Sequence, residues 1–261
     1  MSNRIEQQFK NREKAGAVRL NKYMSESGVC SRREADKMIE QGLVTVDGIR
    51  AVPGTKVMPG QKVQVGKKVV FRKDEMVVLA VNKPRGIVCT EERRERDSIV
   101  RFLNYPIRIT YIGRLDKDSE GLLLMTNNGD IINKMMRAGN RHEKEYKVTV
   151  DKPVTDEFLR KMAAGVPILD TVTRPCLTEK IGKYKFRIIL TQGLNRQIRR
   201  MCEALGYEVK ELIRTRVMNI ELGNLKPGEY RKVTDQELDE LYEMIKNSSN
   251  VTVCQEEEVD G

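Results

Sequence analysis

The sequence of 261 residues is longer than one ordinary domain, and its 39% hydrophobic content is enough for a large domain with a smaller one beside it. No apolar stretch approaches the roughly 20 residues that cross a bilayer and the first residues are polar, which argues against a membrane protein or an exported one and predicts a cytoplasmic protein. The chain has one histidine and five cysteines without C-x-x-C spacing, which argues against a His-based triad, a metal site or a disulfide framework.

Positive charge is concentrated in the amino-terminal quarter. The net charge of the chain is +10, and residues 1–73 hold 16 Lys and Arg against 7 Asp and Glu. So local an excess favours contact with a nucleic acid over a merely soluble surface. Residues 1–18 lack hydrophobic periodicity, so we expect a flexible basic arm, and we expect residues 247–261 to form a disordered acidic tail.

Residues 19–73 predict two short helices followed by short strands. In RLNKYMSES the apolar residues recur at i, i+3 and i+4, and a second helix opens in SRREADKMIEQ with a capping box of Ser31 and Glu34. LVTVDGIRAV predicts a hairpin around its Asp-Gly pair, and a further strand follows the Pro-Gly turn of KVMPGQKVQVG. We therefore predict a small αα-β domain.

The second helix leaves three cations on its outer face, namely Arg32, Arg33 and Lys37. The run R-L-x-K-Y, followed by S-R-R-E-A and V-x-V-D-G, resembles the S4 RNA-binding domain. The resemblance implies that these three cations bind structured RNA through its phosphates.

Residues 74–246 predict a larger domain in which strands and helices follow each other irregularly. Strands are predicted in MVVLAVNK, YPIRITYIGRLD, LLLMT, EKEYKVTV and KFRIILTQG, and helices in IINKMMRAG, DEFLRKMAAGV, LNRQIRRMCEALG and DQELDELYEMIK. The charged run ERRERDSI has no apolar face and predicts a mobile loop. Because there is no regular βαβ rhythm, we predict an α+β fold with a mixed, largely antiparallel sheet flanked by helices.

Two segments contain candidate catalytic groups. GRLDKDSEGLLLMTNNGD places Asp116 between two cations, directly before a buried strand. Such a carboxylate is either a surface ion pair or an acid kept charged for chemistry. In LNRQIRRMCEALG a helical wheel places Arg199 at the edge of the apolar stripe, with Arg196 and Arg200 opposite. An arginine at that edge either pairs with an acid or extends to solvent.

The segments KPRGIVCT, GRLDKDSEGLLLMTNNGD, EKEYKVTV and QGLNRQIRRM together resemble the pseudouridine synthases that carry an S4 domain and modify ribosomal RNA. RAGNRHEKEYKVTVDKP and GLNRQIRRMCEALGYEVKELIRTRVMNI are most similar to the pseudouridine synthase F subfamily, which acts on 23S rRNA. The resemblance implies an isomerase that breaks the N1–C1′ bond of a uridine and joins C5 to C1′. It implies no cofactor and no metal.

The same resemblance assigns roles to individual residues. It makes Asp116 the catalytic aspartate, Tyr146 the ring that packs on the uracil, and Arg199 the buried cation that pairs with Asp116 and keeps it charged. Arg114 fills the space left by the flipped uridine. Arg196 and Arg200 are expected to contact RNA.

The sequence leaves alternatives open. A carboxylate near C1′ can bond to the sugar or remove its C2′ proton. The same chemistry can act on a uridine of a tRNA anticodon loop, and a non-catalytic S4-type ribosome-assembly factor is the alternative of another class. We interpret Asp118 as structural and expect a monomer.

Overall fold

The computed structural model describes residues 16–70, 76–92, 94–136 and 142–246. Two compact units divide the chain: the first holds the residues up to Met76 with Pro106–Arg108, and the second holds Val77–Tyr105 and the residues from Ile109 onward. Most of the predicted basic arm, the predicted acidic tail and the predicted domain boundary between residues 73 and 74 lie outside the described residues.

The first unit contains two helices and two small sheets. Its elements are β1 (Val18–Arg19), α1 (Leu20–Glu26), α2 (Arg32–Glu40), β2 (Val44–Val46), β3 (Ile49–Arg50), β4 (Lys56–Val57), β5 (Val63–Val65) and β6 (Lys68–Val70). Strand β1 pairs with β4, and the other four strands form an antiparallel sheet in the order β3-β2-β5-β6. The predicted αα-β arrangement is confirmed.

Local signals define where these elements begin and turn. The Ser31 hydroxyl accepts the Glu34 N–H at 3.2 Å and the Glu34 carboxylate accepts the Ser31 N–H at 2.9 Å, so the capping box is formed. Asp47 and Gly48 have φ values of 52° and 82°, the two positive values that a tight hairpin turn requires. Both features were predicted from residues at most three positions apart.

Helix α2 packs its apolar side into the core of the first unit. Ala35 and Ile39 are buried against apolar residues of α1. Arg32, Arg33 and Lys37 are exposed on the opposite side. The three cations are therefore available to a partner, as the amphipathic pattern predicts.

The second unit is built around one large sheet. Its helices are α3 (Ile99–Leu103), α4 (Gly129–Met136), α5 (Asp156–Ala164), α6 (Gln197–Ala204) and α7 (Asp235–Ile245). Its strands are β7 (Val78–Lys83), β8 (Thr110–Ile112), β9 (Glu120–Thr126), β10 (Lys144–Val150), β11 (Pro167–Ile168), β12 (Thr171–Val172), β13 (Leu177–Gly182), β14 (Lys185–Leu190), β15 (Val209–Val217), β16 (Ile220–Glu221) and β17 (Tyr230–Lys232).

The large sheet is mixed but mostly antiparallel. Its strands follow the order β13-β14-β10-β15-β9-β7-β17, with β16 beside β15 and β8 beside β9. Among the described strands, the parallel pair of this sheet is β15 with β9. The predicted fold class is confirmed.

The described residues of the charged run ERRERDSI are loop and turn up to Asp97, as predicted, and its last two residues cap and begin α3. The Ser98 hydroxyl accepts the Arg101 N–H at 3.4 Å and caps α3. Ser98 is buried, and Ile99 is buried completely. Since the run itself contains only Ser98 and Ile99 of this helix start and the rest of the helix follows it, the run alone does not reveal the helix.

Helices α5 and α6 pack against β10, β14 and β15 in one hydrophobic core. Ile198, Met201 and Cys202 of α6 are buried, as the helical wheel predicts. Phe158 of α5 meets Phe186 of β14 edge to face, with ring centroids 5.3 Å apart. This core fixes the helix whose amino-terminal end carries the predicted active-site arginines.

Candidate active site

The loop between β8 and β9 presents Asp116. Leu115 is buried, and its N–H donates to the Cys89 sulfur at 3.5 Å. On the other side the Ser119 N–H donates to the Asp116 carbonyl at 3.1 Å. The backbone is therefore anchored before and after Asp116, while the side chain of Asp116 remains 35% exposed. The carboxylate is held in place and still accessible to a ligand.

Two arginines at the start of α6 meet the acids of this loop. Arg196 Nη1 lies 3.7 Å from the Asp116 carboxylate and 3.2 Å from the Asp118 carboxylate. Arg199 Nη2 lies 3.4 Å from the Asp118 carboxylate and donates to the Asp118 carbonyl at 3.1 Å. The Asp118 carboxylate therefore contacts both arginines, whereas the Asp116 carboxylate contacts Arg196.

The predicted pair of Arg199 and Asp116 is not a direct ion pair in this structure, although the charge of Asp116 acts on Arg199. Arg199 is the largely buried cation expected at the edge of the apolar stripe, with a side chain 13% exposed, but its carboxylate partner is Asp118. Arg196 has φ of 49° and ψ of 36°, so it precedes the first helical turn. Arg196 is exposed, as the wheel predicts, but the wheel does not reveal that its guanidinium contacts the Asp116 loop.

The two guanidinium groups keep Asp118 charged. Burial acts to raise the pKa of Asp118, but the hydrogen bonds from Arg196 and the charge of Arg199 outweigh it and hold that pKa below its ordinary value. Burial lowers the pKa of Arg199, and the charge of Asp118 opposes this. Asp118 connects α6 to the Asp116 loop through these contacts, and its interpretation as a structural acid stays a prediction.

Arg85, in the turn after β7, also joins the site and was not predicted. Its Nε donates to the Asp118 carbonyl at 3.1 Å and its Nη2 donates to the Lys210 carbonyl at 2.7 Å. The signal that could have revealed it was the cation within KPRG, a segment whose residues were not assigned to the site. Arg114, which lies in the loop of the acids, and Arg85 and Arg196, which contact that loop, are all exposed, so exposed positive charge lies beside the acids.

The Arg200 side chain forms hydrogen bonds with Asn195, five residues earlier in the chain. Its Nε donates to the Asn195 carbonyl at 3.1 Å and its Nη2 to the Asn195 side chain at 3.3 Å. These bonds fasten the loop that leads into α6. RNA contact by Arg200 stays a prediction.

Tyr146 lies in a row of residues that crosses four strands. Lys83 of β7 pairs with Gly121 of β9, Gly121 pairs with Arg214 of β15, and Arg214 pairs with Tyr146 of β10. Neighbouring strands are about 4.8 Å apart, so Tyr146 lies roughly 10 Å from Gly121 along this row. The ring is half-buried against the core. The row thus connects Tyr146 with the strand that begins directly after the Asp116 loop.

The described residues contain no group of three or more His, Cys, Asp or Glu side chains that could hold a metal ion. Within the same residues, no helix is long and apolar enough to cross a membrane.

Two protein families match this chain. Residues 77–204 match the family described as RNA pseudouridylate synthase, and residues 18–63 match the S4 domain. The chain is 58% identical over 236 residues to the dual-specificity RNA pseudouridine synthase RluF of Escherichia coli (strain K12), which covers 90% of this chain and 81% of the relative. It is 36% identical over 239 residues to an uncharacterized RNA pseudouridine synthase of Mycobacterium tuberculosis (strain ATCC 25618 / H37Rv), covering 87% and 94% of the two chains. The crystal structure of a pseudouridylate synthase is similar at a TM-score of 0.63 and 28% identity, covering 86% of this chain and 99% of the other.

Proposed function

The chain belongs to the RNA pseudouridine synthases, which are isomerases, and we propose that it converts a uridine of 23S rRNA to pseudouridine with Asp116 as the catalytic carboxylate. The observation that carries the proposal is the accessible Asp116 carboxylate, anchored on both sides and 3.7 Å from Arg196. The exposed cations beside it suit a polyanionic substrate.

The proposed reaction needs little more than a positioned carboxylate. The N1–C1′ bond breaks, the uracil turns while it stays bound, and C5 joins C1′; N1 gains a proton and C5 loses one, so no redox cofactor takes part. Asp116 either bonds to C1′, as a retaining glycosidase does, or removes the C2′ proton. Either route requires a carboxylate oxygen free to act. The 3.7 Å contact with Arg196 involves one carboxylate oxygen of Asp116 and, within the described residues, leaves the other for the reaction.

Arg199 and Arg196 have different roles in this proposal. Arg196 offsets and orients the charge of Asp116 directly. Arg199 acts through Asp118, whose carbonyl and carboxylate it holds, so it is a positioning residue. Together they keep the loop in the geometry in which Asp116 meets the sugar.

In this proposal Tyr146 contacts the flipped uracil, and Arg114 occupies the space that the uridine leaves in its helix. Stacking of the uracil on the ring of Tyr146 contributes about 1 to 3 kcal/mol to holding the base outside its helix. Arg114 is exposed two residues before Asp116, so it is placed to occupy the gap that the uridine leaves.

The first unit supplies affinity for RNA. Arg32 and Arg33 lie in the first turn of α2, where the helix dipole favours phosphate groups, and Lys37 follows on the same exposed side. This interaction reads charge and shape and depends strongly on salt.

We also infer a second substrate, a uridine in a tRNA anticodon loop. The name of the relative in Escherichia coli, a dual-specificity enzyme, favours two RNA targets over one. The enzyme acts on both in the cytoplasm and as a monomer.

Chemical mapping of pseudouridine in cells that lack the protein tests this proposal. One site in 23S rRNA and one in tRNA are expected to lose the modification and to regain it with the wild-type gene or with Asp239→Asn, an exposed carboxylate of α7. Asp116→Asn is expected to restore neither site although the protein folds and binds RNA. Restoration by Asp116→Asn would exclude its catalytic role. An unchanged map of 23S rRNA would exclude that target.

A further inference from the structure

Arg214 is a buried guanidinium with an unused donor. The residue is 2% exposed, and its Nε donates to the Leu122 carbonyl at 2.7 Å. Its Nη2 is buried and has no hydrogen-bond partner among the described residues, and within those residues it forms no ion pair. A buried charged donor without an acceptor costs free energy. A hydrogen-bond acceptor placed beside Nη2 would remove this free-energy cost.

Other cations raise the positive potential on the same face of the sheet. Lys144 lies two residues before Tyr146 on β10, so both side chains are on one face. Burial, together with the charge of Arg214, lowers the pKa of Lys144 to about 8. Lys83 is completely buried; burial lowers its pKa, and the charge of Asp116 is among those that oppose the shift. This face therefore favours negative charge beside the acid loop.

Arg214 lies between the loop of Asp116 and the ring of Tyr146. On one side, Arg214 Nε donates to the carbonyl of Leu122, which lies in β9, the strand that begins directly after the Asp116 loop. On the other side, Arg214 and Tyr146 are directly opposite in neighbouring strands, so their side chains share a face.

An RNA substrate can place negative charge near Arg214 either through its phosphates or through the uracil base. The burial of Arg214 favours the base. Phosphates of a bound strand stay near the surface, where Arg85, Arg114 and Arg196 are exposed. A flipped base enters the pocket most deeply. A guanidinium buried as completely as that of Arg214 matches the base.

We propose that Arg214 donates from Nη2 to the uracil ring and stabilises the negative charge that develops there when the N1–C1′ bond breaks. The inference rests on the proposed function, in which Asp116 and Tyr146 act on the same nucleotide. The electron pair of the N1–C1′ bond passes to the uracil and spreads over its carbonyl oxygens, while Asp116 takes up C1′ or the C2′ proton. Attack of C5 on C1′ then consumes the charge. Arg214 acts only as a hydrogen-bond donor and transfers no proton in this step.

The test compares two leaving groups. The substrate is an RNA that the wild-type enzyme modifies, carrying either uridine or 5-fluorouridine at the target; fluorine stabilises the uracil anion and reduces the stabilisation that the enzyme must supply. Because C5 of 5-fluorouridine has no proton to lose, the rate compared for both RNAs is that of breaking the N1–C1′ bond. Under single turnover, Arg214→Gln is expected to slow loss of the target uridine about 100-fold to 1,000-fold, the cost of removing one preorganised donor. The loss with 5-fluorouridine is expected to be about tenfold smaller, and the Kd for RNA to stay unchanged. Arg214→Lys, which keeps a cation, is expected to lose less than Arg214→Gln.

Arg216→Gln is the matched control. Arg216 lies on the same strand but on the other face, because the register shifts between Glu145 and Tyr146, and it pairs there with Glu143 at 2.9 Å. Its substitution is expected to leave the ratio of the two rates unchanged. Equal losses of Arg214→Gln on both RNAs, whether from misfolding or from a general defect, overturn the proposal. So does a loss confined to the Kd, which would assign Arg214 to a phosphate. A wild-type enzyme that modifies neither 23S rRNA nor tRNA contradicts the proposed function instead.

Discussion

Substitution of the two arginines at the start of α6 is expected to separate stability from chemistry. Arg199 contacts Asp118 by its carboxylate and its carbonyl, and it also donates to the Val209 carbonyl at 3.3 Å. Arg196 reaches the carboxylates of both Asp116 and Asp118 from the surface. Arg199→Met should therefore destabilise the fold, whereas Arg196→Gln should mainly slow the reaction.

The contacts set the expected magnitudes. Hydrogen bonds to a charged group contribute about 1.5 to 3 kcal/mol each. Three facts reduce the loss expected for Arg199→Met. The hydrogen bonds of Arg199 are 3.1 to 3.4 Å long, Asp118 keeps Arg196 as a partner after the substitution, and Arg199 Nε is buried without a partner among the described residues. We expect a net loss of roughly 2 to 3 kcal/mol, or a Tm lower by about 5 to 10 °C. The Arg196 side chain is 43% exposed, so its ion pairs contribute less than about 1 kcal/mol to stability. Its loss should slow the chemical step about tenfold.

Thermal unfolding and single-turnover kinetics measure the two effects on the same proteins. Arg160→Met, an exposed arginine of α5, is the control and should change neither quantity. The reasoning is refuted if Arg199→Met leaves the Tm unchanged and slows the reaction more than Arg196→Gln does. Arg199 would then be the direct partner of Asp116.

Three further outcomes follow from the structure. Tyr146→Ala should weaken productive binding by about 1 to 3 kcal/mol while Tyr146→Phe stays near wild type, and equal rates for both variants would exclude stacking. Arg32→Ala with Arg33→Ala should lower the slope of log K against log salt by about 1 to 2 without changing the single-turnover rate at saturation, and an unchanged slope would count against phosphate contact. The folded-state pKa of Lys144, about 8, lies below the unfolded value near 10.4, so the cost of burying its charge is full below about pH 8 and disappears as the pH rises toward 10.4. Lys144→Met should therefore stabilise the protein against urea at pH 7 and less so at pH 9.5; a gain independent of pH would contradict this.

Elements defined by neighbouring residues were predictable. The capping box of Ser31 and Glu34 and the turn at Asp47 and Gly48 depend on residues within one turn of chain, and the structure forms both. Helix α3 was missed because its cap, Ser98, lies near the end of a charged run and most of the helix follows that run. A local pattern is informative only where the residues that stabilise an element belong to that pattern.

The partners of the charged groups were not predictable in the same way. Sequence resemblance brought α6 to the Asp116 loop, but it did not reveal that the acid in direct contact with Arg199 is Asp118. Arg199 and Asp118 are 81 residues apart, and Arg85 and Lys210 are 125 apart, so the strand pairing decides which of them meet. Arg214 shows the same limit, because nothing in LIRTRV distinguishes a buried cation from an exposed one.

The amino-acid sequence by itself determined the fold class and the basic charge of the first unit, and it led to the proposal that Asp116 is the reactive acid, because periodicity, net charge and motif are properties of the chain in order. Only the tertiary structure decided that Asp118 joins the two arginines, that Arg196 is the cation at Asp116 and that Arg214 has a donor to spare. Ion pairs and hydrogen bonds act over a few ångströms, so a shift of one residue in register or one left-handed residue before a helix changes the partner.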